Sequence, residues 1–113
     1  MKKQIFTLLL ALVALFSART SAQEAYAVVS ADQSSVTFYY DSQKAARNGV
    51  NLSYSNWATE NLITATVDAS FANYDGLTSL RNWIWECTNL TGIVGIGNLN
   101  TSNVTDMYGL FTN

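Results

Sequence analysis

Two short stretches rich in apolar residues, separated by a polar link, predict two strands, over 24–30 and 36–40. The β-branched and aromatic residues that favour strands in these stretches are Val28, Val36, Phe38 and Tyr40. The five residues between the stretches, Ala-Asp-Gln-Ser-Ser, are typical of a turn. The sequence therefore predicts a β-hairpin here.

The pattern after the hairpin predicts short elements. Asp41 or Ser42 is placed to cap a short helical turn through Arg47, and Asn48-Gly49 predicts a turn after it. Two further strands are predicted, the second of them half-buried because apolar residues alternate with threonine: 50–54 and 62–67.

Two apolar stripes follow, each with spacings of three, three and one residues. They are Leu77, Leu80, Trp83 and Ile84, and then Val104, Met107, Leu110 and Phe111. Such spacing places apolar residues on one face of a helix, with Asp75 or Thr78 as the cap of the first helix and Asn103 as the cap of the second. A shift of 27 residues superimposes the stripes, which predicts a stacked repeat that the chain leaves incomplete.

The segment between the stripes has a different character. Ile93, Ile96 and Leu99 recur at intervals of three among glycine, asparagine and threonine. This composition favours a strand and a turn on the edge of a solenoid over a free helix.

The first 22 residues are typical of a secretory signal peptide. Met1-Lys2-Lys3 is basic, 5–16 is apolar apart from one threonine, and small residues precede a cleavage site after Ala22. The apolar run is shorter than the roughly 20 residues that span a bilayer. We therefore expect a secreted chain with no membrane span after the signal is removed.

Removal of the signal changes the charge balance. The 91 remaining residues hold three basic and eight acidic side chains, a net charge of −5, which argues against nucleic-acid binding because phosphate is repelled. Asparagine, threonine and serine make up a third of these residues, as suits turns, caps and side-chain ladders. The single Cys87 cannot form a disulfide within the chain and is expected to fill the core.

Few residues offer catalytic chemistry. The chain has no histidine, which excludes histidine-based triads and the usual zinc sites. The acids that would have to be paired for glycoside hydrolysis or Ca²⁺ binding are Glu60, Asp68, Asp75, Glu86 and Asp106. They lack a calcium-loop spacing, and roles as caps or solvated loop residues suit them better. We expect no enzyme, no cofactor and no metal.

The region from Leu77 to Phe111 resembles a known family, and the resemblance extends more loosely to Ala25 to Arg47 and to Ser70 to Asn73. Trp83-Ile-Trp-Glu-Cys-Thr-Asn-Leu-Thr-Gly-Ile93, then Asn98-Leu-Asn-Thr-Ser-Asn-Val-Thr-Asp-Met107 and Leu110-Phe111, are similar to the leucine-rich-type repeats of BspA-like bacterial surface proteins. The resemblance implies short strands and helices in a right-handed solenoid, displayed outside the cell and active in adhesion. The chain holds little more than one such repeat, so no family binding residue is transferred to it.

The pattern and the resemblance together predict an α+β fold. A cap region over 23–76, containing the β-hairpin, would lead into a leucine-rich-repeat-like solenoid, with the first repeat and part of a second over 77–113. The expected function is a secreted or cell-surface scaffold for protein binding or adhesion. Its expected partners are extracellular or host proteins.

Exposed aromatic residues keep a second function open. Trp85 lies one position off the first apolar stripe, and Tyr39 is opposite in phase to Phe38 and Tyr40. Both are therefore predicted to be exposed ligand-binding residues. The alternative function is a small secreted carbohydrate-binding module that uses such aromatic side chains.

Overall fold

A computed structural model describes residues 22–110, and these form a single mixed sheet of five strands. The strands are β1 (Glu24–Val29), β2 (Ser35–Asp41), β3 (Val50–Asn51), β4 (Thr64–Val67) and β5 (Gly92–Val94). Their order across the sheet is β3-β1-β2-β4-β5. Three short 3₁₀ turns complete the regular structure: Leu52–Tyr54, Ala69–Asn73 and Ile96–Asn98.

The predicted hairpin is confirmed. β1 and β2 pair antiparallel, from Glu24 opposite Asp41 to Val29 opposite Val36. The connecting turn is closed by Asp32, whose carboxylate accepts hydrogen bonds from the backbone and hydroxyl of Ser34. These bonds, with one from a neighbouring serine, lower the pKa of Asp32 to about 2.

The other half of the sheet is parallel. β4 lies beside β2, with Thr64 opposite Ser35, and β5 lies beside β4, with Gly92 opposite Thr64. The half-buried strand predicted over 62–67 is therefore present as β4, and β3 begins the stretch predicted at 50–54. Because β5 ends the strand order, it is an edge strand.

The hydrophobic core covers one face of this sheet. Phe38 is at its centre, stacked on Trp83 at 4.6 Å between ring centroids and edge-to-face with Trp57 at 5.2 Å. The indole N–H of Trp57 donates a buried hydrogen bond of 2.7 Å to the carbonyl of Trp83. This bond ties the loop before β4 to the loop after it. Cys87 is buried in the same core, as predicted.

The opposite face of the sheet is partly covered by the loop after β2. Tyr26 is fully buried there, and its hydroxyl donates to Asp41 at 2.5 Å. Arg47 donates to both Tyr26 and Asp41 at 3.1 Å and lies over the ring of Tyr39. The helical turn predicted up to Arg47 is a single turn, in which the Arg47 backbone donates to the carbonyl of Gln43.

The predicted α+β solenoid is wrong. The described residues form a mixed five-stranded sheet that is not curled into a solenoid, and they contain no α-helix. β5 joins the same sheet as the hairpin, so the hairpin is not a cap leading into a separate array.

The two predicted helical stripes are turns. In place of helical bonds, Trp83 donates to the carbonyl of Leu80, Cys87 to that of Ile84, and Leu110 to that of Met107. Each bond closes a four-residue turn whose first and last residues are apolar. Asn82 and Glu86 adopt positive φ angles of 60° and 61°, which a right-handed helix does not accommodate.

The predicted helix caps also act differently. Asn103 donates from its side chain to the carbonyl of Asp75 rather than capping a helix. Asp68, one of the acids expected to act as caps or solvated loop residues, does act as a cap: its carboxylate accepts from the backbone of Ser70 at the start of the 3₁₀ turn Ala69–Asn73. The 27-residue offset is present as a pairing register, since Ser79 forms a parallel bridge with Asp106.

The predicted signal peptide, residues 1–22, falls outside the described range except for its last residue. Phe111, the last member of the second stripe, also lies outside it. Across the described residues, no helix has the length and apolar character needed to cross a membrane.

Candidate functional site

The two predicted binding residues occupy different environments. Trp85 is 42 % exposed and lies in the turns that follow Trp83. Tyr39 is half-buried, stacked on Tyr26 at 5.5 Å and covered by the Arg47 guanidinium at 3.9 Å from its ring centroid. Trp85 thus presents more free ring surface than Tyr39 does.

Trp85 and Tyr39 lie on opposite sides of the sheet. Phe38 points into the core and stacks on Trp83, which brings the turns around Trp85 over the core face. Tyr39 follows Phe38 in β2, and successive side chains of a strand point to opposite faces. The two residues therefore cannot contribute to one binding site.

A larger exposed apolar surface lies on the terminal segment, which we define as residues 89–110. Four of its large apolar side chains are more than half exposed: Val94, Ile96, Met107 and Tyr108. We call these four residues the terminal apolar surface. Several large apolar side chains exposed on one segment of a small domain favour an interaction site there.

The register shows why the terminal apolar surface is exposed. Ser79 pairs with Asp106, so the residues that follow them, Leu80 and Met107, hold equivalent positions in adjacent stretches of chain. Leu80 is 3 % exposed and Met107 is 52 % exposed. The terminal segment helps to cover Leu80, whereas no described residue covers Met107 to the same extent.

Polar side chains fasten the terminal segment to the chain before it. Asparagine and threonine side chains donate hydrogen bonds to backbone carbonyls 27–31 residues earlier. The pairs are Asn89 to Glu60, Thr91 to Ile63, Asn98 to Val67, Asn103 to Asp75, and Thr105 to Thr78. The carbonyls of Ile63 and Thr78 also accept the backbone N–H groups of Thr91 and Thr105, so side-chain and backbone bonds together hold the two stretches side by side.

A groove of about 500 Å³ opens between the turn after β3 and the turns before Trp83. Besides apolar residues and Trp83, its wall combines a tyrosine ring, several hydroxyl groups, an amide and a guanidinium. These are supplied by Tyr74, Ser53, Ser55, Thr78, Ser79, Asn82 and Arg81. This volume lies within the range of small-molecule sites, which typically hold about 300–1,000 Å³.

Gly76 shapes one wall of the groove. A Cβ atom at this position would lie 2.8 Å from the ring of Tyr74, so the glycine allows that ring to pack closely against the backbone. The Tyr74 ring is held from behind by Tyr40 at 5.1 Å and Phe71 at 5.5 Å between centroids. A rigidly supported ring therefore borders the groove.

Arg81 is the only charged side chain that lines the groove among the described residues. It contacts Asp106 through Nη1 at 3.3 Å and lies over the Tyr108 ring at 4.4 Å. The backbone N–H of Tyr108 is the main cause of a lowered pKa at Asp106, and Arg81 adds to the shift. Asp106 is thus held ionised at neutral pH.

A second, smaller groove of about 400 Å³ carries two acids, Glu60 and Glu86, with Ala58, Thr59 and Thr88. Within residues 22–110 no cluster of three or more candidate metal-ligating side chains occurs, so this pair does not extend to a metal site. Cys87 lies nearby but is buried, and the loss of solvent raises the pKa of its thiol.

Sequence reasoning missed most of the terminal apolar surface. The apolar stripe predicts Met107 to be a core residue on a helical face, the spacing of three assigns Ile96 to a strand and turn without predicting its exposure, and no sequence signal marks Val94 or Tyr108. Arg81 was not identified either, although only two other basic residues, Lys44 and Arg47, lie beyond residue 22. That scarcity was the one signal that could have drawn attention to it.

Comparison with known proteins adds no assignment. No family model, curated protein or solved structure matches the chain. The candidate surfaces therefore rest on the geometry and chemistry described above.

Proposed function

We propose that this protein is a non-catalytic binding domain, secreted or displayed at the cell surface, that binds other proteins through its terminal apolar surface. The observation that carries the proposal is the contrast between Leu80, which is covered, and the equivalent Met107, which is exposed. The signal-like start of the sequence supports secretion, and the lack of histidine supports a role without catalysis.

The sheet edge favours a polypeptide as the bound partner. β5 pairs with β4 on one side and ends the sheet on the other. An edge strand offers unpaired backbone donors and acceptors to an added strand, and adjacent apolar side chains then provide specificity. Val94 is on β5, and Ile96 follows this strand. An extended partner segment rich in apolar residues could therefore pair with the backbone of β5 and contact these two exposed side chains.

Peptide display against the folded protein tests this proposal. We expect a random peptide library to yield binders with alternating apolar residues. The double variant Val94→Lys, Ile96→Asp should weaken their binding about tenfold or more, because interface anchors typically cost 2 kcal/mol or more when removed. Trp85→Ala is the matched control, since it removes an exposed aromatic residue outside the terminal segment.

Two results would contradict the proposal. One is a set of peptides that bind the double variant as well as the parent protein. The other is peptides whose binding depends on Trp85 and not on Val94 and Ile96. Circular dichroism of each variant establishes that a loss of binding does not reflect a loss of fold.

Carbohydrate binding is a second candidate function, and the groove beside Tyr74 is the observation that favours it. Sugar sites typically combine an aromatic ring with hydroxyl and amide partners, and Tyr74, Ser79 and Asn82 supply these groups. Trp85 remains a predicted ligand-binding residue, although it does not line this groove. A glycan array compared between the parent, Trp85→Ala and Ser79→Ala proteins would separate the two locations.

A further inference from the structure

We propose that the groove beside Tyr74 binds an acidic sugar, with the Arg81 guanidinium as the group that recognises the carboxylate. This inference rests on the second candidate function, carbohydrate binding, and names the class of sugar. It does not depend on protein binding by the terminal apolar surface.

The charge of the groove points to an anion. Arg81 is the only charged residue among those described that line it, and no acid does so. The other two basic residues beyond residue 22 interact with groups outside the groove. Lys44 forms an ion pair with Glu24, and Arg47 forms an ion pair with Asp41 and donates a hydrogen bond to Tyr26. Their side chains are 23 % and 38 % exposed, whereas that of Arg81 is 54 % exposed.

The geometry of Arg81 leaves donors for a ligand. Its contact with Asp106 is made through Nη1, whereas a guanidinium carries five N–H donors in a planar fork. The guanidinium of Arg81 stacks over the Tyr108 ring, which restrains its plane. Stacking uses the face of the guanidinium, so its N–H donors stay available for hydrogen bonds. A carboxylate can therefore share the guanidinium with Asp106.

The remaining wall suits the rest of a sugar ring. Hydroxyl groups of Ser53, Ser79 and Thr78 and the amide of Asn82 can exchange hydrogen bonds with ring hydroxyls. Tyr74, held by Tyr40 and Phe71, offers an apolar ring surface to the C–H face of a pyranose. A simple anion such as phosphate would use the guanidinium and leave these groups without partners.

Two methyl glycosides that differ only at C6 provide the test. Methyl β-D-glucuronide carries a carboxylate where methyl β-D-glucoside carries a hydroxymethyl group. We expect amide shifts in a ¹⁵N-labelled protein titration to place both at residues 74–83. The glucuronide should bind about fivefold more tightly, the scale expected for a solvent-exposed ion pair.

Three variants give opposed expectations. Arg81→Gln should abolish the preference for the glucuronide, so that the two glycosides bind with equal affinity. Asp106→Asn should strengthen glucuronide binding about twofold, because it removes the acid that competes for Arg81. Lys44→Gln makes the same charge change as Arg81→Gln outside the groove and should leave the preference intact.

The outcomes separate the inference from the function on which it rests. Equal binding of the two glycosides in the groove, or a preference that survives Arg81→Gln, overturns the acidic-sugar inference and leaves carbohydrate binding in place. Absence of binding by either glycoside, or shifts elsewhere in the protein, overturns both. Neither result bears on protein binding by the terminal apolar surface.

Discussion

Replacing Trp57 with phenylalanine tests whether the buried indole hydrogen bond holds the two core loops together. Trp57 is fully buried, and its N–H is bonded to the carbonyl of Trp83 at 2.7 Å. No other described donor bonds to that carbonyl. Trp57→Phe therefore leaves a buried acceptor unpaired in the centre of the core.

Two costs add up in this variant. An unsatisfied buried carbonyl costs about 1–3 kcal/mol. The smaller ring also leaves a void next to Phe38 and Trp83, which costs about 1 kcal/mol for each methyl-sized volume. We expect a total loss of about 3 kcal/mol, a large share of the 5–15 kcal/mol by which domains are typically stable. In a domain of this size the melting temperature should fall by about 12–24 °C.

Urea unfolding followed by far-ultraviolet circular dichroism measures this loss without relying on tryptophan fluorescence. Trp85→Phe is the matched control, since Trp85 is exposed and its indole has no hydrogen-bond partner among the described residues. The control should change the free energy of unfolding by less than about 0.5 kcal/mol. A loss below about 1 kcal/mol for Trp57→Phe, or equal losses in both variants, would refute the reasoning.

Three further predictions concern single groups. Tyr26→Phe removes the hydroxyl bonded to Asp41 and should cost about 1–2 kcal/mol at neutral pH. Burial and Asp41 raise the pKa of Tyr26 from 10.0 to about 12, so the folded protein keeps a proton that the unfolded chain releases. Stability should fall as the pH rises through this window, and equal alkaline losses in the variant would contradict the assignment. Gly95→Ala should lower the free energy of unfolding by about 2 kcal/mol, because Gly95 has a φ angle of 73° and the added Cβ would clash with the Val67 carbonyl. An unchanged midpoint in urea unfolding would contradict this. The Cys87 thiol should react with an aromatic disulfide reagent only after unfolding, and rapid labelling of the native protein would show that it is not buried.

The first half of the fold could be predicted because its signals are local. Two stretches of β-branched and aromatic residues joined by a turn-forming link are sufficient to predict an antiparallel hairpin, and both strands are present. β4 was predicted for the same reason, from the alternation of threonine with apolar residues. The parallel pairing of β2, β4 and β5 could not be predicted, because it joins strands 28 or 29 residues apart and no local signal specifies which distant strands pair.

The candidate site was less accessible to sequence reasoning than the fold was. Trp85 is exposed as predicted, but Tyr39 is covered by Arg47, which comes from a loop eight residues later. The groove is formed where Ser53, Tyr74 and Arg81 meet, and their distance along the chain gives no indication that they do. Exposure of Met107 depends on what lies beside it in space rather than on its position in an apolar stripe.

The three-residue spacing explains why a helix was expected where the chain forms turns. A helix brings residues three and four apart to one face, whereas a 3₁₀-type turn brings residues three apart together by closing a single hydrogen bond. Leu80 and Trp83 are joined in this way, as are Ile96 and Leu99. In the second stripe, Met107 and Leu110 are joined by the same kind of bond. Apolar residues spaced by three along the chain, with few spacings of four, therefore favour consecutive turns over a helix. Asparagine and glycine at positive φ, as at Asn82 and Gly95, redirect the chain between turns, so the residues that prevent a helix also set the path of the chain around β5.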